Sequence, residues 1–430
     1  MLLCLCFNQE KFTMMMRAAV GLWVLSAVIC VGRGHHHLGN DDNKTVQDTV
    51  VDSSANSISL VNEANKEFSF RLYRQLAAHA DPQGKNIFFS PASVSAALAA
   101  LSVGAQGETH RQLFSGLGFN SSLLTQTDVD QAFQTLLQRA NNTSQDTSEG
   151  TAVFVDDDFK PLPEFLQTLK QSYFADGFNV DFSQTTESAD TINKYVKEKT
   201  NGKIDKLVED LDQSTVMYLI SYIYYKGKWA TLFDPELTKQ DDFNVDENTT
   251  VQAVMMNLED SFHIYHEQEL KTIVLQLPFN SSYSMLLMLP DVMATLENAI
   301  SPDHVTKWLK AMVKRRRLDV YIPKFSIKTS YKLNDVLSEI GMTDMFVRAD
   351  LRGISEEQGL VVSKVVHQAT LDVDEAGATA AAATGIEIST RSGGLYSAPV
   401  LKFNRPFMVI ITERNTEKIL FLGKIINPTI

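Results

Sequence analysis

From Leu60 onward, apolar residues recur every four positions, at Leu60, Ala64, Phe68, Leu72 and Leu76. That spacing predicts an amphipathic helix. The following run, NIFFSPASVSAALAALSVGAQG, places Ser90 as a cap and Pro91 in the first turn of a helix that is apolar nearly all round. A helix without a polar face is a buried one. Continuous apolar runs at 216–225 (VMYLISYIYY), 272–279 (TIVLQLPF) and 283–290 (YSMLLMLP) read as strands covered on both faces. Near the C-terminus, PFMVIITE and KILFLGKI flank Arg414-Asn415-Thr416 as a hairpin. Helical patterns dominate the first half and strand patterns the second, which predicts an α+β fold. No internal repeat or long Pro/Gly linker divides residues 58–430, so they are expected to form one domain.

The N-terminal segment changes the picture of where the chain works. Behind Arg17, Ala18 to Val31 form an apolar run too short for a membrane span and suited to a signal-peptide core. Residues 1–33 are therefore expected to be a signal peptide with an N-terminal extension, Met14, Met15 and Met16 being alternative starts. Residues 34–57 are polar and aperiodic and read as a disordered leader, in which His35-His36-His37 carries no function. No later window is apolar enough for a transmembrane helix. All three cysteines, Cys4, Cys6 and Cys30, fall in the segment expected to be removed, so a secreted product would be held together by burial alone. Candidate glycan acceptors are Asn43, Asn120, Asn141, Asn142, Asn248 and Asn280, while Pro428 excludes Asn427. A net charge of −13 argues against a nucleic-acid-coated surface.

The candidate chemistry lies late in the chain. Val365, His367, Ala369, Leu371 and Val373 alternate with Val366, Gln368, Thr370 and Asp372, the signature of a strand. After Asp374-Glu375-Ala376-Gly377 comes ATAAAATGIEISTRSGGLYSAPVL (378–401), rich in Ala, Ser, Thr and Gly. A loop this long inside a compact domain is uncommon unless functional. With period two it is also a latent strand: Ala378, Ala380, Ala382, Thr384, Ile386 and Ile388 face one way, and Thr379, Ala381, Ala383, Gly385, Glu387 and Ser389 the other. Between Ala376 and Leu401 the only basic residue is Arg391. A trypsin-like protease, with an Asp in its specificity pocket, cuts after such a residue.

The run DVDEAGATAAAATG resembles the loop hinge of inhibitory serpins, an acid followed by Gly and small residues. Further motifs in the same order carry the resemblance over nearly everything after residue 58. They are NIFFSPASVSAALAALSVGAQGETHRQL (86–113), INKYVKEKTNGKI (192–204), YYKGKW (224–229), YIPKFSI (321–327), FNRPF (403–407) and FLGKIINP (421–428). The resemblance is to the alpha-1-antitrypsin-like clade. It implies a single-domain fold with a large central mixed β-sheet, further sheets, surrounding helices and an exposed reactive-centre loop at about 375–401. It also implies a suicide substrate, cut at Arg391-Ser392, whose loop inserts into an unpaired gap in the central sheet and traps the acyl-enzyme. The hinge is then Glu375, Gly377, Ala378, Ala380, Ala381, Ala382 and Ala383. Ser90, Ser93 and His367 correspond to the cluster that governs sheet opening, with Ser221 where the family usually has Asn, and Trp229 corresponds to the loop's entry point. Ser392 to Lys402 is longer than in those relatives, which leaves Leu395 and Tyr396 open as cleavage points. The partner implied is a trypsin-like protease and the state implied is a monomer, with no enzymatic activity, metal, cofactor, nucleic acid or membrane. A hormone-carrying, non-inhibitory member is the alternative, although carriers often have bulky or charged hinges.

A last segment, SPDHVTKWLKAMVKRRR (301–317), reads as a helix with Val305, Trp308, Leu309 and Met312 on one side. Lys307, Lys310, Lys314 and Arg317 line the other, and Arg315 and Arg316 add charge at its end. Such a stripe matches a polyanion and resembles the heparin-binding helix of protein C inhibitor-like members.

Overall fold

Helix α1 (Thr45–His79) turns the predicted face inward, burying Val61, Ala64, Phe68, Leu72 and Leu76. This computed structural model describes residues 45–79, 85–143, 147–376 and 398–430. One compact unit spans Asp52–Ile430. Of the expected leader of 34–57, residues 45–57 belong to this helix and residues 34–44 lie outside the described residues. No Gly or Pro interrupts 45–57, and extending a helix from an established nucleus is far easier than starting one.

Ser90 caps helix α2 (Pro91–Ser102), its hydroxyl accepting from the Ser93 N–H at 3.2 Å. Every residue from Pro91 to Ser102 is buried, as the missing polar face predicts. Helices α3 (Gly107–Leu117), α4 (Gln126–Thr143), α5 (Pro163–Ser172) and α6 (Thr185–Lys199) follow in the first half of the chain. Helices α7 (Met293–Ala299) and α8 (Pro302–Ala311) come later.

The strands are β1 (Ile87–Phe89), β2 (Thr147–Asp156), β3 (Asp176–Val180), β4 (Met217–Tyr225), β5 (Lys239–Asn244), β6 (Thr250–Glu267) and β7 (Thr272–Pro278). After these come β8 (Tyr283–Pro290), β9 (Val313–Pro323), β10 (Phe325–Lys332), β11 (Lys364–Val373), β12 (Val400–Lys402), β13 (Phe407–Glu413) and β14 (Ile419–Ile425). Nine strands form one sheet in the order β1-β14-β13-β8-β7-β6-β9-β12, with β5 pairing on β6. The other sheet has five strands in the order β10-β11-β4-β2-β3. It is mixed: β11 runs parallel to β4, β2 parallel to β3, and the other neighbours are antiparallel.

Two findings here differ from the sequence reading. The five-stranded sheet has no open gap beside β11, because β11 and β4 pair continuously from Lys364 opposite Tyr218 to Leu371 opposite Tyr225. Exposed strand edges leave backbone groups unpaired, and closing the seam satisfies them. The basic stripe is also split. Helix α8 stops at Ala311, Met312 is extended (φ −63, ψ 123), and Val313 opens β9. Lys314, Arg315, Arg316 and Arg317 therefore lie on a strand, with Lys314 opposite His263 and Arg317 opposite Ser261 on β6. The apolar alternation Leu318, Val320, Ile322 that continues β9 outweighs the helical reading of the charges.

Candidate functional site

The β4–β11 seam is the structural centre of the site. On its inner face His367 stands opposite Ser221 and is fully buried. The Ser90 N–H donates to His367 Nε2 at 2.9 Å, and Ser221 Oγ lies 2.8 Å from Nδ1. Because Nε2 accepts from a backbone N–H, the ring proton belongs on Nδ1, where it donates to Ser221. Ser221 thus reaches the ring although it is shorter than the Asn usual in the resembled family. Burial pushes the His367 pKa down to about 3, only partly offset by hydrogen bonding at Ser221. The imidazole is neutral and ties β11, β4 and the cap of α2 into one cluster. Ser93 joins through the Ser90 hydroxyl (3.0 Å) and reaches Glu149 on β2 at 3.4 Å.

Where β11 ends, the chain is pinned by several independent contacts. The Trp229 indole N–H donates to the Asp374 carbonyl at 2.8 Å while its ring stacks on Phe279 at 4.5 Å. Phe233 N–H donates to the Glu375 carbonyl at 3.0 Å. Lys226 pairs with the Asp374 carboxylate and Lys324 with that of Glu375, each at 2.8 Å. Burial opposes ionisation of Glu375, but the hydrogen bonds from Lys324, the backbone and Thr238, with the Lys324 charge, together outweigh it and hold the carboxyl below the ordinary glutamate range. The chain returns at Pro399, whose carbonyl accepts from Asp319 N–H, and Val400–Lys402 pairs in parallel with β9.

The structure brings Ser90, Ser93, Ser221 and His367 into one cluster, and Trp229 and Glu375 into another. Gly377, Ala378, Ala380, Ala381, Ala382, Ala383, Arg391 and Ser392 lie outside the described residues, as does Asn43. Asn120, Asn248 and Asn280 are exposed, and Asn141 falls in the last turn of helix α4. Sequence reasoning missed Lys226 and Lys324. Both sit inside quoted motifs, YYKGKW and YIPKFSI, next to Trp229 and β10, so the signal was present without a partner to give it meaning.

Of the basic residues, Lys307 is engaged, donating to Glu267 at 2.9 Å beside the Trp308 indole N–H at the same distance. Glu267 is buried, and Lys307 balances its charge. Arg317 pairs with Glu259 at 3.0 Å. Among the described residues, no helix is long and apolar enough to cross a membrane.

A family model described as Serpin (serine protease inhibitor) matches residues 63–428. Serpin A3-6 of Bos taurus is 40% identical over 392 residues, covering 90% of this chain and 93% of its own length. An alpha-1-antitrypsin-like protein of Tamias sibiricus is 40% identical over 416 residues, covering 95% of this chain and 98% of its own. Among solved structures, human thyroxine-binding globulin in complex with thyroxine superposes with a TM-score of 0.82 at 35% identity. That match spans 87% of this chain and 100% of the other.

Proposed function

The chain belongs to the serpin family, in the alpha-1-antitrypsin-like clade, and we propose that it is a secreted suicide inhibitor of trypsin-like serine proteases. The family is one of protease inhibitors rather than catalysts, and its single-domain α+β fold is the one described above. The proposed bait is Arg391-Ser392. One observation supports the reading: β11 ends at Val373 and the chain is pinned through Asp374 and Glu375 at one end of the parallel β4–β11 seam, just before the small-residue run in the sequence.

The physical logic follows from strand direction. β4 and β11 run the same way, so a segment turning back after Val373 would be antiparallel to both. It would replace one parallel ladder by two antiparallel ones, which are slightly more stable per residue and add a whole strand of hydrogen bonds. Protease attack on the Arg391 carbonyl forms the acyl-enzyme, and insertion must outrun its hydrolysis. Gly377, Ala378, Ala380, Ala381, Ala382 and Ala383 suit that race, because small uncharged side chains enter a packed sheet without desolvating charge.

Mixing the protein with trypsin tests this. A covalent band on a denaturing gel is expected, and mass spectrometry of the released fragment should begin at Ser392. Ala378→Arg should convert inhibitor to substrate, and a stable complex in that variant would sink the insertion mechanism. Clean cleavage of the wild type without a complex would favour the carrier reading, which the likeness to thyroxine-binding globulin supports. A secondary reading, binding of heparin, now rests on Lys310 and on Lys314 to Arg316 of β9, with Lys307 committed to Glu267 and Arg317 paired with Glu259. Elution from a heparin column below physiological salt would dismiss it.

A further inference from the structure

The motif INKYVKEKTNGKI belongs to helix α6 and the segment that returns from it to β4, and these cover the outer face of the five-stranded sheet. Ile192, Val196, Ile204, Leu207 and Val208 pack on Tyr218, Ile220, Tyr222 and Val366. One side chain on α6 fixes the returning segment. Asn193 accepts from the Leu207 and Val208 N–H groups at 2.8 and 2.9 Å and donates to the Val208 carbonyl at 2.8 Å.

Further along the sheet, Tyr224 of β4, Thr370 of β11 and Lys328 of β10 lie in one row across the strands. Residues 203–205 touch both ends of that row. Lys203 Nζ sits over the Tyr224 ring, 5.4 Å from its centroid, and Asp205 pairs with Lys328 Nζ at 2.6 Å. Thr370 between them is buried, and its hydroxyl has no hydrogen-bond partner among the described residues. Asn193 and Lys203 hold the segment to the β4 side of the seam, and Asp205 reaches across to the β10 side.

We propose that residues 203–205 form a strap over the β4–β11 seam, and that the Asp205–Lys328 ion pair is the latch that releases before a strand enters. The proposal rests on the inhibitory reading above. A new strand moves β10 and β11 away from β4 by about 4.8 Å. Asn193 keeps the strap on the β4 side by three hydrogen bonds, whereas the latch is one ion pair in water. The latch breaks first. It stabilises the closed sheet but not the opening transition state, so it slows insertion.

The test is the limiting first-order rate of covalent complex formation at saturating trypsin. Lys328→Met and Asp205→Asn should each raise that rate about two- to fivefold, the range an exposed ion pair supports. The charge swap, Asp205→Lys with Lys328→Asp, should return it to the wild-type value. Lys206→Met, whose lysine pairs with Glu209 within the same segment, should leave it unchanged. High salt should accelerate the wild type and not Asp205→Asn. Rates unchanged in both single variants, or still raised in the swap, overturn the latch while leaving inhibition intact. A wild type that is cleaved without any complex overturns the inhibitory reading, and the latch with it.

Discussion

Acid should weaken this protein through His367 in a calculable way. The folded ring is neutral with a pKa near 3, because it is fully buried and its Nε2 already accepts from Ser90 N–H. In the unfolded chain the same group titrates near 6.5. Between these values the unfolded state binds more protons than the folded one, so stability rises with pH across that window and falls on acidification. At pH 5 the unfolded ring is protonated by about 1.5 pK units of driving force, a loss of about 2 kcal/mol relative to pH 7.5. His367→Gln removes the titration while keeping an acceptor for Ser90 and a donor for Ser221. Urea midpoints of wild type and variant, compared at the two pH values, isolate the histidine from all other groups. The wild type should lose about 2 kcal/mol more than the variant. Equal losses would refute both the neutral ring and the proton assignment built on it.

Two other outcomes follow from contacts away from the ring. Trp229→Phe keeps the stack on Phe279 but orphans the Asp374 carbonyl, and should cost about 1–3 kcal/mol, read as a lower thermal midpoint; an unchanged midpoint would remove that hydrogen bond from the account of the loop's anchor. Lys307→Met leaves the buried Glu267 carboxylate with the Trp308 indole and Glu269 backbone N–H groups but without its balancing charge, so a lower thermal midpoint is expected. The same variant should elute from heparin where the wild type does, and earlier elution would return Lys307 to the polyanion surface.

Much of the scaffold was legible because burial imprints a period. The four-residue spacing of Leu60 to Leu76 marked the inward face of α1, and the strict alternation of 365–373 marked β11 down to the face of His367. The α8–β9 junction was not legible. Charges at 307, 310, 314 and 317 fit a helix, and only the ladder formed with β6 decides for a strand beyond Met312. Partnerships were equally hidden. Lys324 and Glu375 are 51 positions apart, and nothing local in either tells of the other. The closed seam is of the same kind, since a sequence can indicate two buried strands without saying that they lie side by side.

The parallel seam has a consequence for crowded solutions. A strand running opposite to β4 and β11 satisfies both edges with antiparallel ladders, whether it comes from this chain or from a neighbour, and the two offer equivalent backbone hydrogen bonds. What separates them is tethering. A segment attached a few residues beyond Val373 acts at an effective concentration of about a millimolar, against micromolar for a free neighbour. That ratio of about a thousand is worth about 4 kcal/mol. Any change that stiffens or delays the tether, while leaving the seam able to part, spends that advantage and lets the population of neighbours compete for the same place.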